Sequence, residues 1–253
     1  MSGFAPVLPQ GLDISKLAFD KLTVTPVGAK LSKIKHAGNQ LFLQTPEMPI
    51  TWDAQWFTDN DGNDDTGKFT IKVSFNDMEN NPNIKEFYDK MLEFDENLKD
   101  VASQNSVEWF KKKNASRDVI DSMFTPAVKV SIDPETGEPN GRYAPTFSFK
   151  IKKREGNILC ACFKNKTDKF NFNDRDKDDY VDIASCLKKG ALVKGLIKCE
   201  FVWISPGKFG VTWTAHQLRI KVPKGFDEYA FVNDSDDEEE AEKLDGNFVE
   251  SDT

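Results

Sequence analysis

Thiols and imidazoles are scarce. The 253 residues hold four cysteines (Cys160, Cys162, Cys186 and Cys199) and two histidines (His36 and His216). No two cysteines form a CxxC pair, and the histidines lie far apart. The clustered ligands of a tetrahedral zinc site are therefore missing, and reduced, buried thiols are the expectation. HExxH, GxSxG and a glycine-rich phosphate loop are also absent, and the many carboxylates show no paired arrangement. We expect no enzyme, no metal and no cofactor. No apolar run reaches the length of a membrane-spanning helix, and the N-terminus lacks the basic start and apolar stretch of a secretory signal. An intracellular protein without a membrane partner is the expectation. Two aspartate-rich stretches, 59–65 and 174–180, fail the calcium-loop pattern. With Gly62 as the loop glycine, Lys68 falls where the bidentate Glu is required; in the second, Asp179 takes the glycine position.

Apolar residues and charge are plentiful. Phenylalanine alone occurs 20 times, and 38% of the chain is hydrophobic, enough for a sizeable core. The net charge of −8 is unevenly spread. Residues 227–253 carry 12 acids and one base, whereas the remaining 226 residues carry 33 bases and 30 acids. A mildly basic body thus precedes a strongly acidic tail. The tail has too little apolar area to fold against its own repulsion, so we expect it to be disordered.

Period-two alternation dominates the body. In Thr66–Phe75, Phe69, Ile71, Val73 and Phe75 alternate with Lys68, Thr70, Lys72 and Ser74. In Ala144–Arg154, Phe147, Phe149 and Ile151 oppose Ser148, Lys150 and Lys152. Ile50, Trp52, Ala54 and Trp56 read as one strand face. Lys188–Val222 reads as a long hairpin turning at Pro206-Gly207. There Phe201 and Trp203 share a face with Ile197, which makes Trp203 a core pillar. A helical stretch begins at Asn81-Pro82, with Asn81 as N-cap and an apolar stripe through Ile84, Phe87, Met91, Phe94 and Leu98. The expected organisation is a flexible 1–15, a body over 16–226 with a helical insert near 81–123, and the tail 227–253. The expected fold is mainly β: an OB-like closed barrel with a helical insertion.

Lysines recur on the polar strand faces, with aromatic residues between them. A groove for single-stranded nucleic acid needs both, cations for the phosphates and rings for unpaired bases. The candidate contact residues are Lys68, Lys72, Arg142, Tyr143, Lys150, Lys152, Lys153, Arg154, Lys194, Lys198, Lys208, Phe209 and Trp213. A tethered polyanion can occupy such a groove. Asp236, Asp237, Glu238, Glu239, Glu240 and the apolar Phe248 are therefore candidates for modulating binding and for contacting partners. The competing reading is an acidic-tailed interaction module or chaperone for basic partners such as histones.

One segment adds a resemblance. The stretch Gly190, Val193, Lys194, Gly195, Ile197; Trp203, Ile204, Gly207, Lys208, Phe209, Gly210; and Thr212, Trp213, Gln217, Arg219 resembles the C-terminal hairpin of the single-stranded DNA-binding proteins of large nucleocytoplasmic DNA viruses. Those are similar in design to the coliphage OB-fold replication protein that coats single strands. The match is specific over about 35 residues and looser over Thr125–Cys162. It implies coating of single-stranded DNA at viral replication sites, in cytoplasm or nucleus, in replication, recombination or repair. It also implies a tail that contacts replication proteins. The tail departs from the phage pattern, because five residues follow Phe248. Self-association into a dimer or higher oligomer, site size, and DNA against RNA stay open at this point.

Overall fold

The computed structural model describes residues 6–58 and 65–223. The chain divides into Met1–Val222 and Pro223–Thr253. The acidic stretch 227–253, with Asp236, Asp237, Glu238, Glu239, Glu240 and Phe248, lies outside the described residues, as does 59–64.

The first unit is built on the hairpin. Its arms are 14 residues each, Leu192–Ser205 and Lys208–Lys221. Pro206 presets the turn and Gly207 takes φ +73°, a conformation that glycine adopts without penalty. Around it, in chain order, stand β1 (Lys30–Ser32), β2 (Phe42–Gln44), β3 (Gln55–Thr58) and β4 (Gly67–Ser74). Helices α1 (Pro82–Gln104), α2 (Ser106–Phe110) and α3 (Arg117–Met123) follow. Then come β5 (Phe124–Thr125), β6 (Val128–Lys129), β7 (Thr146–Arg154) and β8 (Ala161–Phe163), and the hairpin arms are β9 and β10. The sheet runs Thr23–Val24, β1, β9, β10, β7, β4, β3. Shorter strands branch from it: β2 on β9, β5 and β8 on β10, and β6 on β7.

This sheet does not close, which corrects the barrel expectation. Its end strands, Thr23–Val24 and β3, each have a single partner. A barrel would cover its apolar face with opposing strands; here α1 helps to cover it. Asn81 caps the helix by accepting from the Asn83 N–H, and Pro82 opens the first turn. Phe87 then meets Phe147 of β7 at 5.2 Å between ring centroids, and Phe94 meets Trp213 of β10 at 5.5 Å. Each such pair contributes about 0.5–1.5 kcal/mol beyond burial alone.

Two register shifts interrupt the hairpin, at Leu196/Ile197 and at Cys199/Phe201. The second reverses the alternation of β9. Ile197 and Cys199 are buried, but beyond Glu200 the buried residues are Val202 and Ile204. Phe201 and Trp203 move to the other face and are only half-buried. Trp203 is therefore not the core pillar that period two predicts, since one extra residue in a strand exchanges its faces. It lies instead across Gly210, its register partner, where an added Cβ would come within 2.9 Å of the indole.

Candidate functional site

A groove of about 640 Å³ opens where the segment after Pro49 passes between β4 and the 187–191 stretch. The backbone there is irregular but held on both sides. The Thr51 N–H donates to Lys72 O at 2.9 Å, the Ile50 N–H to Ala191 O at 2.8 Å, and the Ala54 N–H to Leu187 O at 2.8 Å. The Lys189 N–H donates to Asp53 Oδ1 at 2.8 Å. The chain bends at Thr51–Trp52, so Ile50 is buried while Trp52 is 64% exposed. A regular strand would have put both on one face, as the sequence alternation implies; the bend separates them.

The facing wall comes from β6 and from the turn that precedes β7. Lys129, Val130, Ser131 and Tyr143 line it, and Tyr143 is 66% exposed. The turn is pinned at its neck: Ser131 Oγ donates to Asn140 Oδ1 at 2.7 Å, and the Arg142 N–H donates to the same atom at 3.1 Å. Each exposed ring carries a cation on one side. Lys189 Nζ lies 5.6 Å from the Trp52 ring, and the Arg142 guanidinium 5.4 Å from the Tyr143 ring. A flat ligand stacked on the free side of either ring would have a positive charge beside it.

Lys72 also lines the groove and begins a polar face of the sheet. Across β4 and β7 the register sets Lys72 opposite Ser148, Thr70 opposite Lys150, and Lys68 opposite Lys152. Lys150 in turn faces Thr214 of β10, and Thr214 faces Lys198 of β9. Alternate strand residues stand about 7 Å apart, so the face carries cations at short, regular intervals. Among the described residues Lys68, Lys72 and Lys150 make no ion pair. Burial, followed by repulsion from Lys68 and Lys152, pushes the Lys150 ammonium below its ordinary range. An added anion would relieve that repulsion.

Glu200 bounds the free cations. It accepts from Lys152 at 2.9 Å and from Lys198 at 2.8 Å. Burial pushes its carboxyl up, but the bonds from Lys198 and Lys152 outweigh burial and hold it below the usual carboxylate range. Lys152 and Lys198, both expected to contact phosphate, are thus already matched to an acid. Beside them His216 packs edge-on against Phe42 at 5.1 Å. Burial, then the charge of Lys198, lowers its affinity for a proton.

The remaining expected residues scatter. Lys153 lies over the Trp56 ring at 5.2 Å at the edge of the sheet. Arg154 is exposed and pairs with Glu155 at 3.4 Å. Lys194 faces Arg219 and borders a different cavity of about 750 Å³, which also holds Glu47 and Asp77. Among the described residues, no aromatic ring lines that cavity. Lys208 donates to Ser122 O at 3.3 Å, at the end of α3.

Phe209 and Trp213 require correction, because both are buried, at 0% and 2% exposure. Phe209 packs against Phe110 and Phe124, each at 5.2 Å, and Trp213 against Phe94 and Phe147. The helices cover the very face that their alternation shares, so neither ring is free to stack on a ligand. Conversely, Trp52, Lys129 and Lys189 escape sequence reasoning. Their juxtaposition comes from a bend and from long-range backbone pairing, not from periodicity.

No family model and no curated protein matches the chain. Among solved structures, gp2.5, a single-stranded DNA-binding protein encoded by bacteriophage T7, is similar at 12% identity and a TM-score of 0.41. That alignment covers 76% of this chain and 98% of the phage chain. The single-stranded DNA-binding protein from bacteriophage Enc34, solved in complex with ssDNA, is similar at 11% identity and a TM-score of 0.39. It covers 83% of this chain and 97% of its own. Both are phage proteins; neither comes from a large nucleocytoplasmic DNA virus.

Proposed function

We propose that the chain binds single-stranded DNA without sequence preference, through the groove between Trp52 and Tyr143 and the lysine face that continues from it. One observation carries this reading: two exposed rings, each backed by a cation, share a groove with Lys72, Lys129 and Lys189. Bases stack on rings at about 1–3 kcal/mol each, whatever their identity, and lysines follow the phosphates. Neither stacking on rings nor lysine contact with phosphate reads base edges, so sequence preference is not expected. Protection of single strands during viral DNA replication, recombination or repair is the role this binding serves. In that setting the acidic stretch 227–253 competes for the cations and recruits replication proteins.

The test is a fluorescence titration of the full chain and of a 227–253 deletion with oligo-dT, duplex DNA and oligo-U. Single strands are expected to quench tryptophan emission, with most of the change lost in Trp52→Phe. Affinity is expected to fall steeply with salt and to rise on deletion. If neither form responds to oligo-dT at low salt, the reading fails. Capture of a basic protein that disappears on deletion of 227–253 would support the chaperone alternative instead.

A further inference from the structure

Asp95 is a carboxylate buried to 5% exposure near the middle of α1, and it does not line the groove. Its Oδ2 accepts from the Ala127 N–H at 2.9 Å and from the Val128 N–H at 3.3 Å. Those two residues are the root of the groove's second wall. Val128 and Lys129 pair with Phe147 and Thr146 of β7, and Lys129, Val130 and Ser131 then face the groove. From Ser131 the chain turns back through Asn140 to Arg142 and Tyr143. Val128 N–H is directed at the helix, not at a strand, so the helix supplies the acceptor that the sheet does not.

We infer that Asp95 is the positioning residue of this wall: its carboxylate fixes the backbone at Ala127–Val128 and thereby sets where Lys129, Val130 and Tyr143 stand relative to Trp52. This inference rests on the strand-binding reading for its effect on affinity, but not for the hold on the backbone itself.

The hold depends on protonation. Burial raises the Asp95 pKa to about 7, against the opposing effect of the two N–H bonds. Other charges act on it from two elements. On α1 itself, Lys99 favours the carboxylate and Glu96 disfavours it. On α3, Asp121 pairs with Lys99 at 3.0 Å, and Arg117 pairs with Glu96, Asp100 and Asp121. The 127–128 segment presents only its N–H groups. Because those N–H bonds favour the carboxylate, the carboxylate in turn favours the bonds, and a proton weakens them. The wall is therefore held firmly above neutral pH and loosened below it. The same raised pKa means that Asp95 lowers stability as pH rises: its contribution is complete below about 3.8 and lost as pH passes through about 7.

The experiment uses the full chain and Asp95→Asn. Amide resonances of Ala127 and Val128 are followed by NMR from pH 5.5 to 8.5, and oligo-dT affinity is measured across the same range. In the unmodified protein both amides are expected to titrate with a midpoint near 7, and affinity to increase several-fold with rising pH. In Asp95→Asn the amides stay still and affinity is flat. Deprotonation of His216 would lower affinity for phosphate as pH rises, the opposite sign, so the two groups are distinguishable. Silent amides in the unmodified protein, or the same rise of affinity in Asp95→Asn, would overturn the inference. Should Asp95→Asn not fold, the amide titration of the unmodified protein still decides. Titrating amides without oligo-dT binding at any pH would leave Asp95's hold intact and sink the strand-binding reading instead.

Discussion

The hairpin and the groove use the same residue types for opposite ends. Phe209 and Trp213 stand on a long regular strand and are buried against helices and neighbouring strands. Trp52 and Tyr143 stand on bent or looping backbone and are about two-thirds exposed. The difference lies in what the backbone offers. A regular strand repeats its direction every second residue, so its rings line up with the next layer and are taken into the core. A bend held by long-range hydrogen bonds sends a ring out of register while still keeping it in place. Trp52 and Tyr143 are exposed where periodicity fails.

Substituting the rings separates the buried pair from the exposed pair. Trp213→Ala is expected to remove about 3–5 kcal/mol of stability, because a large side chain leaves a cavity beside Phe94 and Phe147. Urea denaturation measures this, and oligo-dT affinity per folded molecule should stay unchanged. Trp52→Ala should do the reverse: stability within about 0.5 kcal/mol, and affinity weaker by about 1–3 kcal/mol. Tyr143→Ala is expected to match it. If Trp52→Ala destabilises strongly and leaves affinity unchanged, the two regions do not differ as described.

The sequence carries the elements well and their joining poorly. The alternation of Gly67–Ser74 and Thr146–Arg154, the turn at Pro206–Gly207 and the helix cap at Asn81 are all local signals, and the structure contains each of them. What is not local is lost. Closure into a barrel depends on whether end strands meet, and no residue pattern records that α1 covers the face instead. The bulge at Glu200 moves Trp203 across the sheet with no glycine or proline to announce it. Of the candidate contacts, Lys68, Lys72, Lys150 and Tyr143 come to one face or its groove. Lys194 and Lys208 do not: Lys194 borders a different cavity and Lys208 sits at the hairpin tip bonded to Ser122 O, placements that strand alternation does not record.

The lysines of the groove and of the hairpin tip differ in the same way, with a smaller effect. Lys72 and Lys129 share the groove, whereas Lys208 sits at the hairpin tip bonded to Ser122 O. Each groove lysine that meets a phosphate contributes about 0.7 to the slope of log affinity against log salt. Lys72→Ala with Lys129→Ala should therefore reduce the slope by about 1.4, and Lys208→Ala should not change it. Equal losses from both would mean that the strand passes the hairpin tip as well.

Glu200 gives the smallest effect and the finest test of where the cationic track ends. It is nearly buried and matched to both Lys152 and Lys198. Its lowered carboxyl contributes stability above the ordinary carboxylate range near 4.5, lost as pH falls below that. Glu200→Gln removes this contribution, on the order of 1 kcal/mol for a partly exposed pair, so the unmodified and substituted proteins should converge in stability at acid pH. At neutral pH the substitution releases two lysines beside Lys150. If the strand reaches them, affinity for oligo-dT rises by less than about tenfold, or 1.4 kcal/mol, and the salt slope steepens. Unchanged affinity and slope would place the end of the track at Lys150. The groove between Trp52 and Tyr143, not the hairpin, would then hold most of the bound strand.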